Sequence, residues 1–302
     1  MNPSKIRFTW DEAECAMRSQ GLVIPDGKSG KWRIEHHRFP VGTKVPIVSQ
    51  RNALLMGMRP TSCVLPRPLI ITNLVEKDGD HTGLWMSDSP QEVEQHVRQL
   101  RHARGHVLVG GLGIGLAVSI LARKMRVRSI TVVEKSKDVI KLVKPTCLEY
   151  IHDRGIPGIR FSVVHEDLFE FLKHGGAKFN FAFLDIWCPT SEGEFMATVM
   201  PLRKLARNLV SGHIECWNEA EMLGQFRLSI HTALAMQGQP NGIPIADYIQ
   251  RVERMKPRYD PCLRFYKMYA EGKANEHHVE SFISALRDGK HEEWTPEMEE
   301  AA

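Results

Sequence analysis

Residues 106–116 read HVLVGGLGIGL, with glycine at Gly110, Gly111, Gly113 and Gly115. The run is apolar on both sides of the glycines. Without a Cβ, such a backbone lets a ligand approach its peptide groups closely. Where the turn opens a helix, free amides also point toward the ligand. A dinucleotide fingerprint requires G-x-G-x-x-G. Its third position is Leu116 when counted from Gly111 and Val118 when counted from Gly113, so neither start completes it. The spacing here is G-x-G-x-G, and Leu116 argues against a nicotinamide oxidoreductase.

Three carboxylates recur at the ends of the apolar runs that follow. Glu134 closes SITVVEK nineteen residues after Gly115. Its two oxygens can accept from both hydroxyls of a ribose, although a surface charge at a strand end would look the same. Asp167 closes IRFSVVHED, where it could accept from an adenine amino group while Leu168 covers the ring. It could equally cap the helix LFEFL, or do both. Asp185 follows FAFL, where burying a carboxylate would be costly, so it is expected to face a cleft. Trp187 lies two residues on, able to stack on a flat or cationic acceptor or simply to close the core. Asp88, ahead of the glycine strand, reads as an acid at a helix start.

Alternating elements must hold these residues. SPQEVEQHVRQLRHARG has Pro90 just inside its start, Val93 and Val97 four apart, and Gly105 past its end, which predicts a helix. HVLVGG, SITVVEK, IRFSVVHED, FNFAFLDIW and GHIECW read as strands. Between them LAVSILARKM, KDVIKLVKPTCLEYIHDRG (with Pro145 breaking or kinking it), LFEFLKHG and LRKLARNLV read as helices. Ser191 and Glu194 make a capping-box pattern, and Pro201 interrupts the helical stretch that follows it. The order predicts a parallel sheet with helices on both faces, its strands buried on both sides. Ahead of it, KWRIEHHRF, KVPIVS and PLIITNLVE suggest a small β-rich region, with a helix near Trp10–Ser19. Further on, Asn218 and Glu221 could cap a helix to about Gln237. QPNGIP reads as a loop, DYIQRVERM as a helix, CLRFYKMYA as a late strand, and HEEWTPEMEEAA as a frayed acidic end.

Four consecutive strands each end in a plausible ligand contact, over about Gly105 to Trp217. In order and spacing this resembles the class I S-adenosylmethionine-dependent methyltransferases. The resemblance implies a Rossmann-like doubly wound α/β fold, mostly parallel and of methyltransferase type, with S-adenosyl-L-methionine as cofactor. Gly110, Gly111, Gly113 and Gly115 would line its methionine and ribose part, Glu134 would hold the ribose, and Asp167 with Leu168 the adenine. Those enzymes often carry an acid where this chain has Val109. Within the superfamily, VVEKSKDVIKLVKP and LWMSDSPQEVEQHV look like the spermidine-synthase-like branch, which makes Asp88 a candidate in the cleft and suits a β-rich N-terminal region. That branch often forms homodimers. Its aminopropyltransferases carry D-x-x-D-P after the fourth strand. Here the stretch is Asp185-Ile186-Trp187-Cys188-Pro189, with a thiol where the second acid stands. Methyl transfer needs only an aligned nucleophile and a group to take one proton, and Asp185 with Trp187 would serve it. The expectation is a methyltransferase acting on a small-molecule or protein acceptor. An aminopropyltransferase and a non-catalytic cofactor-binding module are the alternatives.

Bulk composition agrees with a globular chain. Its 302 residues are 42% hydrophobic and 25% charged, enough for a sizeable core. The expected division is a β-rich region over 1–85, a cofactor-binding domain over 86–275, and a C-terminal helix with an acidic tail over 276–302. Net charge is +4, well short of a nucleic-acid footprint. The basic groups at Arg98, Arg101, Arg104 and at Arg123, Lys124, Arg126, Arg128 read as solvated helix faces. No [D/N]-P-P-[Y/F/W] or Pro-Cys motif follows the fourth strand, which argues against a nucleic-acid partner. Six scattered cysteines without a Cys-x-x-Cys pair suggest a reduced, cytoplasmic chain with no metal site. His213, Glu215 and Cys216 share one strand, where only the first two fall on one face. MNPSKIRFTWDEAEC lacks the apolar core of a signal peptide, and Val107–Ala122 is too short and glycine-rich for a membrane span.

Overall fold

The computed structural model of the chain describes residues 22–48, 53, 59–79, 81–188, 195–236, 244–247, 249–250 and 261–296. The helix expected near Trp10–Ser19, the Ser191/Glu194 cap and most of QPNGIP and DYIQRVERM lie outside them. The chain divides into two units. One holds the described residues through Cys188 together with Leu202–Asn218, and the other those of Pro189–Pro201 and from Glu219 onward.

In the first unit β1 (Gly27–Ser29), β2 (Trp32–Phe39), β5 (Leu69–Asp78) and β6 (His81–Ser87) form an antiparallel sheet in the order β1-β2-β5-β6. β3 (Lys44–Val48) and β4 (Thr61–Val64) pair separately. The β-rich beginning predicted from KWRIEHHRF, KVPIVS and PLIITNLVE is present in these strands.

The helix α1 (Pro90–Gln99) follows, capped by the Ser89 hydroxyl, which accepts from the Glu92 amide at 3.4 Å. It stops earlier than Gly105 suggested: a 3-10 turn occupies Leu100–His102, and Gly105 opens the next strand. Its buried face also differs from the apolar pair in the sequence. Val93 is buried and Val97 is exposed, while Glu94, Gln95 and His96 are buried. The helix turns a polar stripe inward.

β7 (Gly105–Gly110), β8 (Val127–Glu134), β9 (Arg160–His165), β10 (Phe179–Leu184) and β11 (Val210–Cys216) make a five-stranded sheet ordered β11-β10-β7-β8-β9. Every neighbouring pair is parallel, so the fold is the Rossmann-like α/β type read from the alternating pattern. The chain steps from β7 outward through β8 to β9, then returns to the other side of β7 as β10. That reversal puts a switch point between β7 and β10, where open sheets of this kind form a crevice beyond the strand carboxyl ends. The central strands are buried, with Val107, Leu108 and Val109 packed beside Phe181, Ala182 and Phe183. β9, at one edge, is half-exposed instead of buried on both faces.

The connecting helices are α2 (Leu116–Leu121), α3 (Lys137–Arg154), α4 (Leu168–His174) and α5 (Met200–Ala206). α2 is shorter than LAVSILARKM suggested. α3 runs unbroken through Pro145, contrary to the expected break. Pro145 sits on the exposed side, opposite the face carrying Val139, Val143, Cys147 and Tyr150. The carbonyl of exposed Lys141, deprived of its donor, can therefore reach water.

The second unit is helical: α6 (Glu219–Ala235), α7 (Pro261–Ala270) and α8 (Val279–Asp288). CLRFYKMYA, expected as a strand, lies in α7. Leu263 and Tyr266 are buried three residues apart, as on one helix face, and Pro261 is well placed at a helix start. The expected frayed end is ordered over His291–Pro296. There Trp294 packs on Phe265 and Phe282 with ring centroids 5.9 and 5.1 Å away, and its carbonyl accepts from Arg264 at 3.0 Å. Among the described residues no helix is long and apolar enough to cross a membrane.

Candidate functional site

The glycine loop leaves β7 at the switch point. Gly111, Gly113 and Gly115 all have positive φ, at 90°, 50° and 76°. At Gly111 the requirement is twofold, since a Cβ there would also collide with the Asp185 carbonyl oxygen. The loop is thus pressed against the end of β10, and the Asp185 amide donates to the Gly110 carbonyl at 2.9 Å. Glu134, at the end of β8, braces the loop from the other side. Its Oε2 accepts from the Leu112 amide at 2.8 Å and its Oε1 from the Ser136 amide at 2.7 Å. Each carboxylate oxygen has a second lone pair, so the brace leaves acceptor capacity for hydroxyls. Among the described residues the amides of Gly113 and Ile114, at the tip of the loop, make no hydrogen bond.

Asp167 follows β9 and caps α4, its Oδ1 accepting from the Phe169 amide at 2.9 Å. Its Oδ2 lies 3.1 Å from the Lys135 ammonium. Partial burial pushes its carboxyl up, but the Lys135 contact and the Phe169 amide together hold it below the usual aspartate range. Leu168 is buried and packs against Gly110, where a Cβ would run into its side chain. Gly110, Leu168 and Asp167 are thereby brought to one part of the sheet edge.

On the β10 side, Asp185 faces α1. Its side chain is 17% exposed, while that of His96 behind it is 1% exposed, and His96 Nε2 lies 3.6 Å from Asp185 Oδ2. His96 Nδ1 is 2.9 Å from the Glu92 carbonyl. A carbonyl only accepts, so Nδ1 carries the proton and Nε2 is the nitrogen turned to Asp185. Burial pushes the Asp185 carboxyl up, and the nearby His96 imidazole pulls it partly back. Glu92, one turn before His96 on α1, accepts from the Ser87 amide at 3.0 Å. Burial raises its carboxyl to about 7. Cys188 donates to the Leu84 carbonyl at 3.4 Å, and burial together with Glu92, Asp185 and Glu76 raises its thiol.

Two predicted residues have a more structural setting. Asp88 accepts from the Thr72 amide at 2.6 Å, and the Asp88 amide donates to the Thr72 carbonyl, tying the start of α1 to β5. Burial raises its carboxyl to about 6. Trp187 is 4% exposed, and its indole N–H is buried with no hydrogen-bond partner among the described residues. At the end of β11, His213 Nε2 and Glu215 Oε1 meet at 2.6 Å, as their shared strand face requires. Asn218, two residues past that strand, holds a positive φ of 52° while buried, strain at the same edge of the sheet.

Glu92, His96 and Lys135 were not singled out in the sequence. For Glu92 and His96 a signal existed: they stand at i and i+4 of a capped helix, on one face. The apolar pair Val93 and Val97 drew attention to a different face. Lys135 adjoins Glu134 at a strand end, and nothing in its spacing points to Asp167.

No protein-family model matches the sequence, and no curated protein matches it. Among solved structures, the chain is similar to precorrin 8W decarboxylase of Methanobacterium thermoautotrophicum at 13% identity and TM-score 0.28, over 39% of this chain and 56% of that one. It is similar to YjhP of E. coli at 15% identity and TM-score 0.29, over 65% and 84%. A third is a SAM-dependent methyltransferase of Thiobacillus denitrificans in complex with S-adenosyl-L-homocysteine, at 13% identity and TM-score 0.31, over 65% and 83%. The match spans little more than half the length of the first of these structures.

Proposed function

We propose that the first unit binds S-adenosyl-L-methionine and that the chain is a methyltransferase acting on a small-molecule or protein acceptor. The observation that carries this reading is the convergence of four strand ends around the β7/β10 switch point: the Gly111–Gly115 loop, Glu134, Asp167 with Leu168, and Asp185. The residues fit the cofactor. The loop tip offers the Gly113 and Ile114 amides to a carboxylate or hydroxyl, Glu134 keeps lone pairs for ribose hydroxyls, and Asp167 beside Leu168 pairs an acceptor with an apolar surface for a base. Bound there, the cofactor would supply an electrophilic methyl group on a sulfonium, with a neutral thioether as its leaving group. Asp185 takes the acceptor's proton, and Trp187 bounds the acceptor side.

The antiparallel sheet ahead of α1 supports placing the chain near the spermidine-synthase-like branch. Cys188, a neutral thiol beside Asp185, favours methyl over aminopropyl transfer, because it cannot hold a second cation as a carboxylate would. The test is calorimetric titration of the protein with S-adenosylmethionine, S-adenosylhomocysteine, decarboxylated S-adenosylmethionine and NADH. Binding of the first two, weakened in Asp167→Ala, is expected. Preference for the decarboxylated form would turn the reading to aminopropyl transfer, and binding of none of the first three would sink it.

A further inference from the structure

We propose that Glu92, His96 and Asp185 form one proton-holding unit, in which Asp185 receives a proton from the cleft and His96 stores it behind. This deepens the methyltransferase reading and rests on it for the source of the proton. The geometry separates the roles. Asp185 keeps some exposure, whereas His96 is almost wholly enclosed between α1 and β10, its ring centroid 5.1 Å from that of Phe183. The Glu92 carbonyl takes the Nδ1–H, so Nε2 is the nitrogen that faces Oδ2, across 3.6 Å. That separation is beyond a hydrogen bond. A proton arriving from Asp185 and held on Nε2 would draw the pair into a charged hydrogen bond, with the imidazolium favouring the carboxylate beside it. His96 Nε2 is a buried polar atom without a hydrogen-bond partner among the described residues, a cost that a shared proton would remove.

Glu92 completes the unit. The charged and titratable groups around it come from three elements: His96 on its own helix, Asp185 and Cys188 after β10, and Glu76 on β5, which acts on the Cys188 thiol. Two carboxylates near one imidazole cannot both ionise cheaply. When Asp185 is anionic Glu92 holds its proton more tightly, and when His96 gains charge Glu92 loses it more readily. A proton entering at Asp185 is thus offset by one loosened at Glu92, which keeps the buried net charge small.

The experiment is a carboxyl-carbon NMR titration of full-length protein labelled in Asp and Glu, with S-adenosylmethionine binding measured on the same samples. In His96→Gln the Glu92 and Asp185 transitions are both expected to move to higher pH, because the imidazole that favours their charged forms is gone. In Asp185→Asn the Glu92 transition is expected to move to lower pH, because a repelling carboxylate is gone. Opposite displacements of Glu92, each more than about 0.5 pH unit from its wild-type midpoint near 7, are the signature of one coupled unit. A mere loosening of the helix would move Glu92 the same way in both variants. An unmoved Glu92 in Asp185→Asn, or an unmoved Asp185 in His96→Gln, would overturn the proposal. Coupling without cofactor binding would instead leave the unit standing and remove the methyltransferase reading.

Discussion

Glu134 offers the sharpest test, because the same carboxylate is assigned two duties. Before any ligand arrives, its oxygens accept from the Leu112 and Ser136 amides at 2.8 and 2.7 Å. Replacing it with alanine leaves both amides without their acceptor, one in the glycine loop and one at the start of α3. A hydrogen bond to a charged group contributes about 1.5–3 kcal/mol when buried. Glu134 is half-buried, so water can partly replace the lost acceptor, and about 1–1.5 kcal/mol per bond is the fitting figure. Glu134→Ala should therefore destabilise the ligand-free protein by about 2–3 kcal/mol. That corresponds to a Tm lower by roughly 5–10 °C for a unit of this size. Glu134→Gln keeps one acceptor oxygen and turns its amide group toward the other N–H, so an intermediate loss is expected. The assay is urea unfolding followed by tryptophan fluorescence, without ligand, with Tm as a second readout. A loss below about 0.5 kcal/mol for Glu134→Ala, the level of an ordinary surface substitution, would refute the brace.

Three further outcomes follow from the same geometry. Gly111→Ala should be far more damaging than Gly113→Ala in thermal unfolding: both force a side chain into positive φ, but the first meets the Asp185 backbone and the second only the flexible Met86 side chain. Asp167→Ala should cost about 1 kcal/mol by losing the cap of α4, and Asp167→Asn much less, since Asn caps nearly as well. Because the Asp167 carboxyl is held below its usual range, its contribution is present above the unfolded value near 4 and is lost as the pH falls through the folded value. Glu92 has the opposite sign: its carboxyl is raised to about 7, so a penalty builds as pH rises from about 4.5 to 7. Glu92→Gln should gain on wild type by on the order of 2–3 kcal/mol between pH 4 and pH 8 in urea unfolding, and a flat difference would count against the buried setting.

Much of the fold could be read from the order of residues. Short apolar runs bounded by turn residues, such as HVLVGG, fit strands covered on both sides. The acids that close them, Glu134, Asp167 and Asp185, fall at the sheet edge for the same reason. Local pattern misled where two readings share one composition. CLRFYKMYA is rich in aromatic and apolar residues, and Leu263 and Phe265 alternate as on a strand, but the segment folds as α7, where Leu263 and Tyr266 share a face. Pro145 looked like a helix break, and only its exposure decided otherwise.

What the sequence determined by itself is most of the elements and the acids that close their strands, because periodicity and strand direction are local properties of the chain. Which side chains meet was decided by tertiary structure alone. The return of β10 beside β7 brings Asp185 against the glycine loop and against His96, a residue 89 positions earlier in the chain. It also puts β10 against the buried face of α1 that carries His96, while Val97 is left outside. For His96 the group it faces, Asp185, follows a different strand, and no local pattern along α1 can name it.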